Sequence, residues 1–123
     1  MVAVYLTHPQ VAIDPAIPVP EWSLTETGRR RIVALAGQPW VAGIGRIVSS
    51  AERKAVETAE ILAATAGCTV EIVEEMGEND RSATGFLPPA LFEETADRFF
   101  AFPQQSIEGW ERAIDAQARI VST

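Results

Sequence analysis

The sequence predicts an α/β domain, a three-layer α/β/α arrangement around a mostly parallel sheet. Three observations lead there. Strand and helix patterns alternate between Val2 and Val73 in the order strand, helix, strand, helix, strand. The strand candidates are short apolar runs, as strands buried on both faces read. No period repeats and no low-complexity linker divides the 123 residues, so one domain, residues 1–123, covers the chain.

Taken in order, Val2–Thr7 reads as a buried strand that stops near His8, because Pro9 has no amide hydrogen to continue a ladder. Residues 9–22 carry Pro9, Pro15, Pro18 and Pro20, too many for a helix or a central strand, and read as an ordered loop. "SLTETGRRRIVALAG" is a helix with Thr25 as its cap, Ile32, Leu35 and Ala36 as its apolar face, and Gly37 as its stop. "IGRIVSS" is a second strand. It runs into a helix whose Ala55, Ala59, Leu62 and Ala66 share a face, with Ser49 and Glu52 spaced as a capping box. "CTVEIV" is a third strand, and the polar "GENDRSATG" after it is a turn region. Phe92, Ala96 and Phe99 then mark one amphipathic helix. Trp110, Ala113, Ile114, Gln117 and Val121 mark another, beginning near Ser106.

Composition narrows the function classes. With 10 Lys and Arg against 17 Asp and Glu, the net charge of −7 repels a phosphate backbone, and nucleic acid is not an expected partner. No apolar run approaches the roughly 20 residues a membrane helix needs, and the N-terminus lacks the pattern of a signal peptide. A single cysteine, Cys68, makes no internal disulfide and has no neighbouring thiol or histidine for a metal site. These features predict a soluble, cytoplasmic protein with Cys68 in a structural role, and they imply no metal and no cofactor.

Ligands of an open parallel sheet collect outside the carboxyl ends of its strands. His8, the only histidine, and the pair Ser49–Ser50 fall there. The helix after Ser50 starts with unpaired amides and a positive dipole end, with Arg53 and Lys54 in its first turn, and together these make a candidate anion pocket. The same serines also suit a plain helix cap, and the two cations a solvated face.

Four segments, "YLTHPQV", "WSLTETGRRRI", "VSSAERKAVETAEIL" and "MGENDRSATGFLPP", resemble in order the motifs of the histidine phosphatase superfamily, which includes the phosphoglycerate mutases. Leu24, Thr25, Glu26 and Gly28 match its Leu-Thr-Glu-x-Gly helix start, and Ser49, Ser50, Ala55, Thr58 and Ala59 match its Ser-Ser motif. The resemblance implies a phosphoglycerate mutase-like fold. It makes His8 the nucleophile that takes a phosphoryl group on a ring nitrogen, chemistry suited to an imidazole partly unprotonated near neutral pH. Lys54 stands where the family has a phosphate-binding arginine, and supplies charge without the bidentate fork. Glu78 stands where the acid for the leaving oxygen is expected, with Glu74 and Glu75 as close competitors. Arg81 is a further phosphate ligand from the same loop, or else the salt-bridge partner of Asp80 or Glu78.

Three departures alter that pattern. Thr7 replaces the arginine before the nucleophile, losing charge-assisted hydrogen bonds worth about 1.5 to 3 kcal/mol each unless Arg53 or Arg81 substitutes. Pro9 replaces the following glycine and withdraws an amide. The family's second histidine, on a later strand, has no counterpart before Thr123, so the sequence looks like the front portion of a longer domain. An unpaired strand edge there predicts either homo-oligomeric association or a longer polypeptide.

The leading expectation is a hydrolase acting on a small phosphomonoester, with His8 and Glu78 catalytic and Lys54, Thr7, Arg53, Arg81 and Ser50 around the phosphate. A non-catalytic module of the same fold that binds phosphate or a protein is the main alternative. A phosphatase for phosphohistidine on proteins is the third.

Overall fold

Val48 lies between Ile47 and Ser49 in a strand too short to stand alone, and it becomes a ladder by pairing with a neighbour of equal length. In the computed structural model, which describes Met1–Thr123, β1 (Ile47–Ser49) pairs in parallel with β2 (Val70–Ile72), Ile47 opposite Val70 and Ser49 opposite Ile72. Parallel neighbours need a crossover, here α2 (Arg53–Ala66), which ends at left-handed Gly67. Buried Ala59 and Ala63 on α2 are small enough for close helix packing, and α2 lies against α1 (Glu26–Ala36) and β1. The α/β class with a parallel sheet therefore holds, with two strands in the sheet.

Ile32 and Ala36 of α1, Leu62 of α2 and Val41 from the short turn Val41–Gly43 form the first core, and Leu35, Ile44, Ile47 and Ile61 close around it. The apolar stripe read from α1 is the face that packs, and its cap is as expected: Thr25 Oγ1 accepts from the amide of Gly28 at 3.0 Å. A second core forms where Phe99 of α3 (Pro89–Ala101) meets Ile107 and Trp110, with Leu87 and Ala113 packed against them. The proline-rich loop is ordered around buried Trp22, whose indole N–H donates to the carbonyls of Asp14 and Ile17, both at 3.0 Å.

Five expectations are corrected. Val2–Thr7 is not a strand: Met1–Pro9 make no main-chain to main-chain hydrogen bond, and Val2, Val4 and Tyr5 are exposed. β1 pairs only with β2, so an extended segment without a ladder neighbour keeps its bonds to water. The last helix, α4 (Ala113–Val121), starts later than Ser106 because Glu108 and Gly109 take positive φ of 51° and 80°, a turn that no right-handed helix passes through. That turn folds Trp110 inward, and Val121, read as part of the packed stripe, is exposed. Phe92 is likewise more than a third exposed, because α3 turns its Thr95–Phe99 side to the core. Finally, Ser49 and Glu52 form no capping box. Ser49 Oγ donates to Ser50 O at 2.8 Å, and Glu52 itself is the residue preceding the first helical turn, its carboxylate turned elsewhere.

Candidate active site

Lys54 occupies the first turn of α2 but faces inward, only 3% exposed. A buried ammonium needs carboxylates nearby, and it has two: Glu52 Oε2 at 3.6 Å and Glu78 Oε2 at 3.7 Å. Both lie beyond hydrogen-bond length. Thr58, one turn on, satisfies its own buried hydroxyl on the Lys54 carbonyl at 2.8 Å. Glu78 is drawn into place by its main chain, since its amide donates to Glu52 Oε1 at 3.2 Å.

Arg81 completes the group by donating to Glu78 Oε2 at 2.7 Å. Its guanidinium lies 5.2 Å from the Phe92 ring centre and 5.8 Å from that of Trp110. Such cation–π contacts hold the fork without consuming its N–H donors. Two cations and two carboxylates thus balance, and an arriving anion has to displace a carboxylate from Lys54. Glu78, with its side chain 47% exposed, is free to yield, whereas Lys54 is not.

The loop carrying Glu78 is clamped from α4. Arg119 donates to the carbonyls of Glu75 at 2.5 Å, Gly77 at 2.9 Å and Glu78 at 3.2 Å, and to Glu111 at 2.7 and 3.1 Å. Glu111 also accepts from the Asp80 amide at 3.1 Å. The hydrogen bonds from Arg119 hold the Glu111 carboxyl below its usual range, against the opposing effect of burial, and the Asp80 amide adds to the lowering. Arg119 is in turn held more firmly protonated by Glu111. Asp80 is lowered first by hydrogen bonding from Ser82.

The structure brings Lys54, Glu78 and Arg81 together, and none of the other expected residues bonds to that cluster. His8 is half-buried, with Nδ1 2.8 Å from the Pro9 carbonyl. A carbonyl only accepts, so in that contact Nδ1 is the donor, and a neutral ring then carries its lone pair on Nε2. No hydrogen bond or ion pair joins His8 to the cluster. Thr7 is exposed. Arg53 turns away to Glu57 at 3.8 Å, and Ser50 contributes its carbonyl to Ser49 rather than a hydroxyl to the cluster. Glu74 and Glu75 are exposed in the short turn Glu74–Met76. Sequence reasoning missed Glu52, Glu111 and Arg119. Their charges were visible, but the carbonyls that receive Arg119 lie 41 to 44 residues upstream, and no periodicity signals such a pair.

Residues 17–123 match the family model described as histidine phosphatase superfamily (branch 1), a match that begins after His8. No curated protein matches the chain. Among solved structures, the mycobacterial glucosyl-3-phosphoglycerate phosphatase in complex with inorganic phosphate is 25% identical, with a TM-score of 0.70 over 94% of this chain and 58% of that one. Mycobacterial hydrolase 2 is 23% identical, with a TM-score of 0.73 over 94% of this chain and 52% of its own, which speaks to fold alone. The chain thus spans a little over half the length of these structures. With the ordered motifs, the parallel sheet and a match over most of its length, the chain belongs to the histidine phosphatase superfamily, branch 1.

Proposed function

We propose that this chain supplies the phosphate-binding and proton-donating side of a phosphatase for small phosphomonoesters, working through a phosphohistidine. The observation that carries the reading is Lys54, a buried ammonium whose two carboxylate neighbours stand beyond hydrogen-bond length, so that a phosphate displacing the more exposed one, Glu78, would meet unsatisfied donors. Arg81 adds a fork from the other side of Glu78. In the proposed reaction the arriving phosphate displaces Glu78 from the two cations and Glu78 takes up a proton; Nε2 of His8 then attacks phosphorus, the ester P–O bond breaks, and Glu78 gives that proton to the leaving oxygen. Water then attacks the phosphohistidine, the P–N bond breaks, and Glu78 takes the proton back.

The test is a phosphoenzyme trap with labelled phosphomonoesters. Glucosyl-3-phosphoglycerate is among them because the similar mycobacterial structure is that of a phosphatase named for it. Acid-labile, base-stable label that disappears in His8→Ala is the expected result. Label retained in His8→Ala would move the nucleophile elsewhere. The second reading, a phosphate-binding module without catalysis, is favoured by the lack of any bond between His8 and the cluster. Its signature is vanadate binding with no label at all.

A further inference from the structure

We infer that Arg119, backed by Glu111, is the positioning residue for Glu78, so that the last helix sets the geometry of the proton donor; the inference rests on the reading of Glu78 as that donor. One guanidinium directs its donors to three carbonyls of a single loop, those of Glu75, Gly77 and Glu78, and to one carboxylate. Such convergence is more than a helix needs for packing, since α4 has no buried residue of its own. The loop between Glu74 and Arg81 has no strand or helix to hold it except the short turn at its start.

Glu111 makes the clamp two-sided. It receives Arg119 on both oxygens and takes the Asp80 amide, while its own amide donates to the Asp80 carbonyl at 2.8 Å. The main chain on either side of Glu78 is thereby tied to Arg119 and Glu111 at Gly77, Glu78 and Asp80. The Glu78 side chain itself is held only by Arg81 and Lys54 and is otherwise open to solvent, so it can turn toward a leaving oxygen over a fixed backbone. Displacing a proton donor by about 1 Å costs on the order of 10²-fold in rate.

Leaving-group dependence provides the test. An alkyl phosphate needs its leaving oxygen protonated, while p-nitrophenyl phosphate departs as a stable phenolate and does not. Arg119→Ala and Glu111→Gln should lower the single-turnover rate of enzyme phosphorylation by glycerol phosphate about 10- to 100-fold, and by p-nitrophenyl phosphate less than about threefold, with vanadate affinity unchanged; the later hydrolysis of the phosphohistidine is common to both substrates and does not enter this rate. Glu78→Gln should show the same split, and adding Arg119→Ala to it should cost nothing more. Equal losses on both substrates, or full additivity, would overturn the inference. If Glu78→Gln itself shows no split, the proton-donor reading fails instead. Amide exchange gives a readout independent of turnover: in Arg119→Ala and Glu111→Gln the amides of Gly77, Glu78 and Asp80 should exchange faster while those of α2 do not. Unchanged exchange at those three amides removes the clamp whatever the activity.

Discussion

The carbonyl oxygen of Gln10 rests directly against the Cα of Gly28, so closely that a Cβ at position 28 would overlap it. The same oxygen accepts from the Thr25 amide at 3.1 Å, so one carbonyl fastens the loop after His8 to the first turn of α1. The glycine of the Leu-Thr-Glu-x-Gly motif is required by this approach of two backbones. Gly28→Ala should therefore destabilise the protein by about 1 to 3 kcal/mol through overpacking, although alanine in a helix is ordinarily favoured over glycine by about 1 kcal/mol. Thermal or urea unfolding measures it, and a gain in stability would show that the loop moves aside freely.

Lys54→Met keeps the length and apolar stem of the side chain and removes its charge. Vanadate or phosphate affinity should fall about 10- to 100-fold, the range for a lost charge-assisted hydrogen bond. Because Lys54 is buried, the difference should persist at high salt, where an exposed cation's contribution is screened. Titration at low and high ionic strength checks both parts, and an effect that vanishes with salt would place the anion on an exposed cation instead.

Glu57 on α2 gathers the N-terminal half. Its carboxylate accepts from Ser23 Oγ at 2.7 Å and the Leu24 amide at 3.2 Å, and pairs with Arg29 and Arg53. Glu57→Ala should destabilise by about 1 to 3 kcal/mol, the penalty for leaving part-buried donors unpaired. Glu57→Gln, which can still accept from Ser23 and Leu24, should lose less. Equal losses would assign the stability to the exposed arginines rather than to the two donors.

Acid should loosen the clamp in a defined direction. The folded-state pKa of Glu111 lies below its unfolded value, so its contribution is complete above the ordinary carboxylate range and is lost as pH falls through the folded value. The stability gap between the unsubstituted protein and Glu111→Gln should be full at neutral pH and close as pH drops below about 4. Unfolding midpoints across that range decide it, and a gap independent of pH would mean that the charge of Glu111 contributes nothing there.

The local half of the structure was legible. Thr25 as cap, Gly37 as stop, Ile32 and Ala36 as the packed face, and the β1–α2–β2 order all follow from propensities and periods within one element. Lys54, Glu78 and Arg81 came from motif order, and they meet in space. What failed depended on partners. Val2–Thr7 has strand composition, but a strand exists only against a neighbour. The Ser106–Arg112 stretch continues an apolar helical period, yet Glu108 and Gly109 break it with their backbone angles. The carbonyls that receive Arg119 belong to a loop, where sequence carries no period at all.

Met1–Pro9, with no main-chain bond to the rest of the chain, also bears on binding strength. In a complex in which His8 faces an anion on Lys54 no main-chain ladder holds this segment, and each backbone that the complex newly fixes costs about 1 to 2 kcal/mol of entropy. Association and ordering are then a single equilibrium, and the observed affinity is the intrinsic one scaled by the fraction of molecules already in the competent arrangement. A proline or a covalent tether that pre-orders the approach to His8 would tighten the complex without adding a single contact to the ligand.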